Sequence, residues 1–138
     1  MIAHQATAVV VGGRAMLIEG PPGSGKSSLA LALIDRGAAL IGDDGVMLEA
    51  IGARAVARPH PNTTGLIEVR NLGLVPMTPL PEAPVALVLL IDRGAPRFVE
   101  SPEWVVRGGA SLPMVRLWPD SPVLAQRAEL ALRHYGLP

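Results

Sequence analysis

At 138 residues with 49% apolar side chains, the chain is long enough for one domain with a genuine core and too apolar for a disordered segment. Its 12 basic and 12 acidic residues cancel, which argues against a general nucleic-acid or membrane-surface binder, and the lack of cysteine excludes disulfides, thiol catalysis and cysteine-ligated zinc. No apolar run reaches the roughly 18 residues of a membrane span. Met1-Ile2-Ala3-His4-Gln5 also lacks the basic start and long apolar stretch of a secretory signal, so the expectation is no nucleic acid, no membrane and a cytoplasmic location.

Fifteen glycines and 14 prolines predict short elements and many turns. Thr7–Val11 reads as a strand, and Gly12-Gly13 as a hairpin turn into a second apolar strand, Ala15-Met16-Leu17-Ile18. His4 stands ahead of this hairpin; its residue context alone reads as an ordinary terminal histidine. Next comes Gly20-Pro21-Pro22-Gly23-Ser24-Gly25-Lys26-Ser27, the G-x-x-x-x-G-K-S pattern of a P-loop. Glycines let backbone N–H groups turn inward around phosphate oxygens, and a helix start adds partial positive charge. Lys26 is expected at the β/γ-phosphates and the Ser27 hydroxyl at Mg²⁺. Lys26 is the only lysine; the other eleven basic residues are arginines. The residues that follow favour a helix ending near Arg36, with Gly37 as its C-cap.

Residues 38–41 form a short apolar stretch expected to be a buried strand, with Gly42-Asp43-Asp44 at its C-terminal end, where ligands gather in open α/β sheets. The two carboxylates there could serve as a metal-side acid and a general base; the alternative is a polar Gly-Asp-Asp-Gly turn. Val46–Ile51 reads as a strand and 52–65 as a long loop carrying Arg54, Arg58 and His60. Residues 66–70 alternate apolar and charged, which places Glu68 and Arg70 on one strand face. Residues 75–84 read as a proline-rich connector. Residues 85–92 are the most apolar strand and end in Asp92, the shape of a Walker B carboxylate, so Asp92 competes with Asp43 and Asp44 for the metal role. Residues 104–107 and 113–117 read as short strands. Ser121 is expected to cap a last helix, with Pro122 at its first position; Leu124, Ala128, Ala131 and Tyr135 share one face, and Gly136 stops it.

Leu66-Ile67-Glu68-Val69-Arg70-Asn71-Leu72-Gly73-Leu74, taken with His4, the 20–27 loop and Ile41-Gly42-Asp43-Asp44, closely resembles the catalytic domain of HPr kinase/phosphorylase. The resemblance implies an α/β fold: a P-loop-containing kinase domain of the HPr kinase/PEP carboxykinase-like type, a mixed sheet with a P-loop helix and a C-terminal helix, filling residues 1–138. It implies ATP and Mg²⁺ as cofactors and a serine on an HPr-like phosphocarrier protein of the phosphotransferase system as substrate. His4 then corresponds to the family's active-site histidine, Lys26 contacts nucleotide phosphates, and Ser27 ligates Mg²⁺. Asp44, with Asp43 beside it, matches the carboxylate that is base in the kinase direction and acid in the reverse. Glu68 matches the second metal ligand. A functional arginine lies beyond the Asp92 strand, with Arg97 the better match and Arg93 the second. The resemblance also implies a homo-oligomer, a hexamer.

The sequence departs from the family in three places. Longer members carry an N-terminal domain of comparable size; Ser28 stands where an acidic residue is usual; and Leu112-Pro113-Met114-Val115-Arg116 is an eroded form of a segment linked to dephosphorylation. This resembles the short alphaproteobacterial form and supports kinase activity more than phosphorylase activity. Two other readings remain: a small-metabolite kinase with Asp92 as its Walker B residue, and a non-catalytic nucleotide-binding regulator.

Overall fold

The computed structural model describes residues 1–138, which run through eleven strands and two helices. Strands β1 (Ile2–His4), β2 (Thr7–Val11) and β3 (Arg14–Glu19) lead through the glycine loop into helix α1 (Lys26–Asp35). Five strands follow: β4 (Ala39–Gly42), β5 (Val46–Ile51), β6 (Arg54–Pro59), β7 (Leu66–Val69) and β8 (Gly73–Pro76). Then come β9 (Ala83–Ile91), β10 (Glu103–Arg107), β11 (Ala110–Leu117) and helix α2 (Leu124–Tyr135).

Strand β9 is the centre. It runs parallel to β3 on one side and to β11 on the other, while its first residues pair with β6. A strand flanked in parallel is covered on both faces, so a continuous apolar run suits it, and Val85 to Leu89 are fully buried. Beyond β3 lie β2 and then β4, both antiparallel to their neighbours. On the far side β6, β5 and β1 continue in antiparallel order. Side-chain alternation splits the core. Val9, Met16 and Ile18 face α1 and α2 and pack with Leu29, Leu33 and Leu132. Ala8, Val10, Ala15 and Leu17 face the other way and pack against Val46, Leu48, Ala55 and Ala57 of β5 and β6. The result is a helix layer, a central sheet and a second strand layer, the α/β class with a mixed sheet. No helix is long and apolar enough to cross a membrane.

The local expectations meet the structure unevenly. Gly12 and Gly13 both take positive φ, as a tight two-residue hairpin requires, and α1 hands over at Arg36 to Gly37 at φ +110°. The expected loop over 52–65 is corrected: Arg54–Pro59 is strand β6, paired residue for residue with β5. Its small buried residues Ala55, Val56 and Ala57 carry no period, which hid the strand. Its arginines are structural as well. Arg58 pairs with Glu49 and Glu82, and Arg54 donates to the carbonyls of Val85 and Pro138. The start of the expected connector belongs to β8, which pairs with β7 as a two-stranded hairpin. Helix α2 starts at Leu124, later than the expected Ser121 cap. The Ser121 carbonyl and hydroxyl instead accept from the N–H groups of Leu124 and Val123, forming a turn ahead of the helix.

Candidate active site

The glycine loop joins the carboxyl end of β3 to the start of α1, so its backbone N–H groups and the helix terminus converge. Close approach fixes Gly20: a Cβ there would lie 2.7 Å from Ser24 Oγ and 3.2 Å from the Ile91 carbonyl. Gly25 holds φ +98° at the N-cap. The Lys26 ammonium donates to the carbonyl of Gly20 at 2.8 Å, across the mouth of the loop.

The two aspartates at the end of β4 separate sharply. Asp43 is buried, and its carboxylate takes three hydrogen bonds: from Thr7 Oγ1 at 2.9 Å, from Ser27 Oγ at 2.6 Å and from the Glu68 N–H at 2.8 Å. Asp44 is exposed and left-handed, at φ +58°, a conformation that aspartate tolerates better than most residues. The turn is tight: a Cβ on Gly42 would meet the Gly45 carbonyl at 2.6 Å. Asp43 therefore faces inward to the loop serine while Asp44 faces solvent.

A polar cavity of about 190 Å³ lies over the loop and the start of α1, and Lys26, Ser27, Asp44 and Glu68 all line it. Thr7 and Arg70 line it too, and neither was singled out for the site in the sequence. The β7–β8 hairpin delivers Glu68 from β7 and Arg70 from the turn after it, and no ion pair ties them to each other. A second cavity of about 660 Å³ opens on the other flank of the loop, bounded by Asp92, Arg93, Arg116 and Pro119. Arg93 is thus beside the loop, although its charge pairs with Asp120 at 3.0 Å. Arg97 lines neither cavity and lies over the Phe98 ring at 5.4 Å. Arg116, noted in the sequence only as the end of the 112–116 segment, bridges Asp92 at 2.9 Å and Glu103 at 2.6 Å through its guanidinium.

Asp92 is engaged elsewhere. The Gly94 N–H and the Arg116 guanidinium hold its carboxyl below the usual carboxylate range. Ser27 is bonded to Asp43 instead. Because an ionised carboxylate only accepts, the Ser27 hydroxyl must donate to it, which leaves the serine lone pairs free for a cation. Magnesium is commonly held by one or two protein groups plus substrate phosphates. Ser27 and Glu68, sharing one cavity wall, fit that pattern, and no three histidine or carboxylate side chains converge as a ready-made cage.

His4 does not stand alone either. Its Nε2 lies 2.8 Å from Glu19 Oε2, and Arg107 grips the same carboxylate with Nε and Nη2, both at 2.9 Å. Burial would raise the Glu19 carboxyl, yet the hydrogen bonds from His4 and Arg107, with the Arg107 charge, pull it down to about 2. Neither Glu19 nor Arg107 belongs to a recognisable motif; Glu19 directly precedes Gly20, and that adjacency was the only available signal.

The model of the HPr serine kinase C-terminal domain family matches residues 1–80. The chain belongs to this family. It is 43% identical over 72 residues to the HPr kinase/phosphorylase of Clostridium beijerinckii, a stretch covering 52% of this chain and 24% of that protein. It is 44% identical over 69 residues to the HPr kinase/phosphorylase of Mycoplasmopsis pulmonis, covering 50% and 22%. The chain thus spans about a quarter of the length of the curated relatives it matches. The solved structure of the Hpr(Ser) kinase/phosphatase from Coxiella burnetii superposes with a TM-score of 0.84 at 22% identity, over 96% of this chain and 95% of that one. That likeness shows the family's α/β fold across β9 to α2, beyond the stretch that the family model matches.

Proposed function

We propose that the chain is a protein-serine kinase that moves the γ-phosphoryl group of ATP, with Mg²⁺, to a serine of an HPr-like phosphocarrier protein of the phosphotransferase system. Family membership supports this reading, and one observation carries it: Lys26, Ser27, Asp44 and Glu68 line a single polar cavity at the start of α1. Phosphoryl transfer needs positioning and charge neutralisation more than covalent help from the protein. The loop N–H groups and the α1 terminus seat the phosphates, and Lys26 turns from the Gly20 carbonyl to the β/γ-phosphates. Ser27 and Glu68 would hold Mg²⁺, which would supply charge neutralisation on the transferring group. Asp44 accepts the proton of the attacking serine hydroxyl. The serine Oγ–P bond forms, the bond from the γ-phosphorus to the β–γ bridging oxygen breaks, and ADP leaves. Asp43 takes no proton in this scheme, because three donors already occupy its carboxylate.

The kinase direction is preferred to phosphorolysis because 112–116 departs from the family's dephosphorylation segment. Assembly as a hexamer follows the same resemblance, and action within the cytoplasm follows the expectation read from the start of the sequence. The test is incubation with labelled ATP, Mg²⁺ and an HPr-like protein, with a metabolite panel in parallel. The expected result is phosphoserine on the protein. Label on a metabolite alone would make the chain a small-metabolite kinase, and nucleotide binding without turnover would make it a regulator.

A further inference from the structure

Strand β10 ends the sheet on the β11 side, and no strand pairs with its outer edge. The other ends of the sheet are guarded: at β4 the Leu80 N–H bonds the Leu40 carbonyl, and β1 is only three residues long. By contrast β10, Glu103-Trp104-Val105-Val106-Arg107, has no lysine, proline or bulge to blunt it. Val105 packs toward the β5–β6 layer, so Trp104 and Val106 point to the opposite face, where they are 59% and 67% exposed. The turn sets the hydrogen-bond phase of this edge. Gly108 and Gly109, both at positive φ, close a two-residue hairpin, which bonds Arg107 to Ala110. Alternation from that pair turns the N–H and C=O groups of Val105 and Glu103 inward to β11, and those of Trp104 and Val106 outward. The outward Val106 carbonyl accepts from Arg107 Nη1 at 3.0 Å and keeps a second lone pair.

We infer that this edge is a two-fold contact between two copies of the chain, in which β10 pairs antiparallel with β10 of the second copy about Val105. In that register the strand complements itself. Trp104 meets Val106 of the second copy, an aromatic and β-branched pair whose outward backbone groups exchange two hydrogen bonds, and the symmetry repeats the pair. Glu103 meets Arg107 of the second copy on the other face, opposite in charge. A parallel in-register pairing would set Glu103 against Glu103 and Arg107 against Arg107, and like charges directly opposite repel. Charge therefore selects the antiparallel contact, and the apolar side chains cover one another on the exposed face. A strand of five residues buries little area, so the association is weak, at the low end of specific interfaces. The contact stands apart from the kinase reading. It closes after two copies, so a larger assembly needs another face as well.

The test has two arms. The chain has no cysteine, so one introduced thiol reports the contact cleanly. At Val105, on the two-fold axis, the paired Cα atoms would lie about 4.5 Å apart, within reach of a disulfide. At the exposed Ser111 of β11 they would be three strand spacings apart, about 14 Å, and out of reach. Under mild oxidation of the intact chain, Val105→Cys is expected to cross-link into a dimer well ahead of Ser111→Cys. In the second arm, sedimentation equilibrium is expected to show concentration-dependent association of the wild type. Val106→Lys, at an exposed position where the monomer loses little, is expected to raise the dissociation constant at least about tenfold. Cross-linking of Val105→Cys no faster than Ser111→Cys overturns the inference, and so does a wild type that stays monomeric up to about 1 mM. An assembly built only through other faces keeps its size in Val106→Lys, and that result overturns it too. Should Val105→Cys fail to fold, the Trp104→Cys, Val106→Cys double variant, whose paired Cα atoms would lie about 5.5 Å apart, takes its place against the same control.

Discussion

Asp43→Asn is expected to unsettle the fold far more than Asp44→Asn, although the residues are neighbours of the same type. Asp43 is 5% exposed and accepts from Thr7, Ser27 and the Glu68 N–H. Asparagine offers one acceptor oxygen where the carboxylate offers two. If that oxygen stays with the two hydroxyls, the new NH₂ faces the Glu68 N–H, donor against donor. If it flips to Glu68, the hydroxyls must rotate away and find other acceptors. Either way at least one charge-assisted bond is lost and the others weaken, at about 2–3 kcal/mol in total. For a domain of this size that corresponds to a drop of about 10 °C in Tm. Asp44 is exposed and in a left-handed conformation that asparagine also tolerates, so Asp44→Asn is expected to leave Tm within about 2 °C. Thermal melts of the two variants at pH 7, supported by urea unfolding, measure the difference. Equal melting temperatures, or a wild-type Tm for Asp43→Asn, would refute the three-donor account of the buried aspartate.

The remaining expectations concern chemistry and pH. Lys26→Ala is expected to abolish transfer and weaken ATP binding with little change in Tm, because its ammonium contacts only loop carbonyls; near-normal turnover would sink the P-loop reading. Asp44→Asn is expected to keep Mg²⁺·ATP affinity by calorimetry while serine phosphorylation, read as a mass shift, falls by about 10²-fold or more. Glu68→Gln is expected to weaken Mg²⁺-dependent nucleotide binding and Asp92→Asn to spare it; the reverse pattern in a metal titration would return the metal to Asp92. Glu19, pulled from 4.5 to about 2 in the fold, contributes stability that is complete above the unfolded carboxyl range and lost as pH falls from about 5 toward 2. Unfolding curves across that window should therefore show a shallower acid loss in Glu19→Gln than in the wild type, and identical slopes would count against the ion triad.

Legibility in the sequence followed the range of the interaction. The glycine loop, the hairpin at Gly12-Gly13 and the apolar β9 strand are local patterns, where backbone freedom or periodicity leaves its own mark. Glu68 and Arg70 were placed on one face by strand alternation, and they line one cavity. Glu19 and Arg107 lie 88 residues apart, and Asp92 and Arg116 lie 24 apart, so no local rule could couple them. Strand β6 escaped because its buried residues are consecutive and small, and β1 because it is three residues long, two of them exposed, and carries no period. Position along the chain favours Arg97, with Arg93 second, as the arginine beyond β9. The fold instead brings Arg93 and Arg116 to the larger cavity, since β11 runs parallel to β9 and ends at the same edge.

The choice between the two candidate metal-side carboxylates follows from that same edge. Strand β3 delivers the loop between β9 on one side and β2 on the other, with β4 beyond β2. A carboxylate can approach Ser27 from either flank. Asp92, at the end of β9, is held by the Gly94 N–H and neutralised by Arg116, and Arg116 is in turn fixed by Glu103. Turning Asp92 toward a cation would leave that guanidinium half-paired. Asp43 reaches across from β4, and Thr7, on the intervening strand β2, donates to it and closes the gap. Its only positively polarised partners are hydroxyls and one N–H, so its negative charge remains uncompensated by any cation of the chain. A buried carboxylate without a counter-ion, bonded to the loop serine, favours a divalent cation on that flank. These electrostatics support the proposed placement of metal and phosphate on the β4 side of the loop, with the β9 side and its two arginines left to the remainder of the nucleotide.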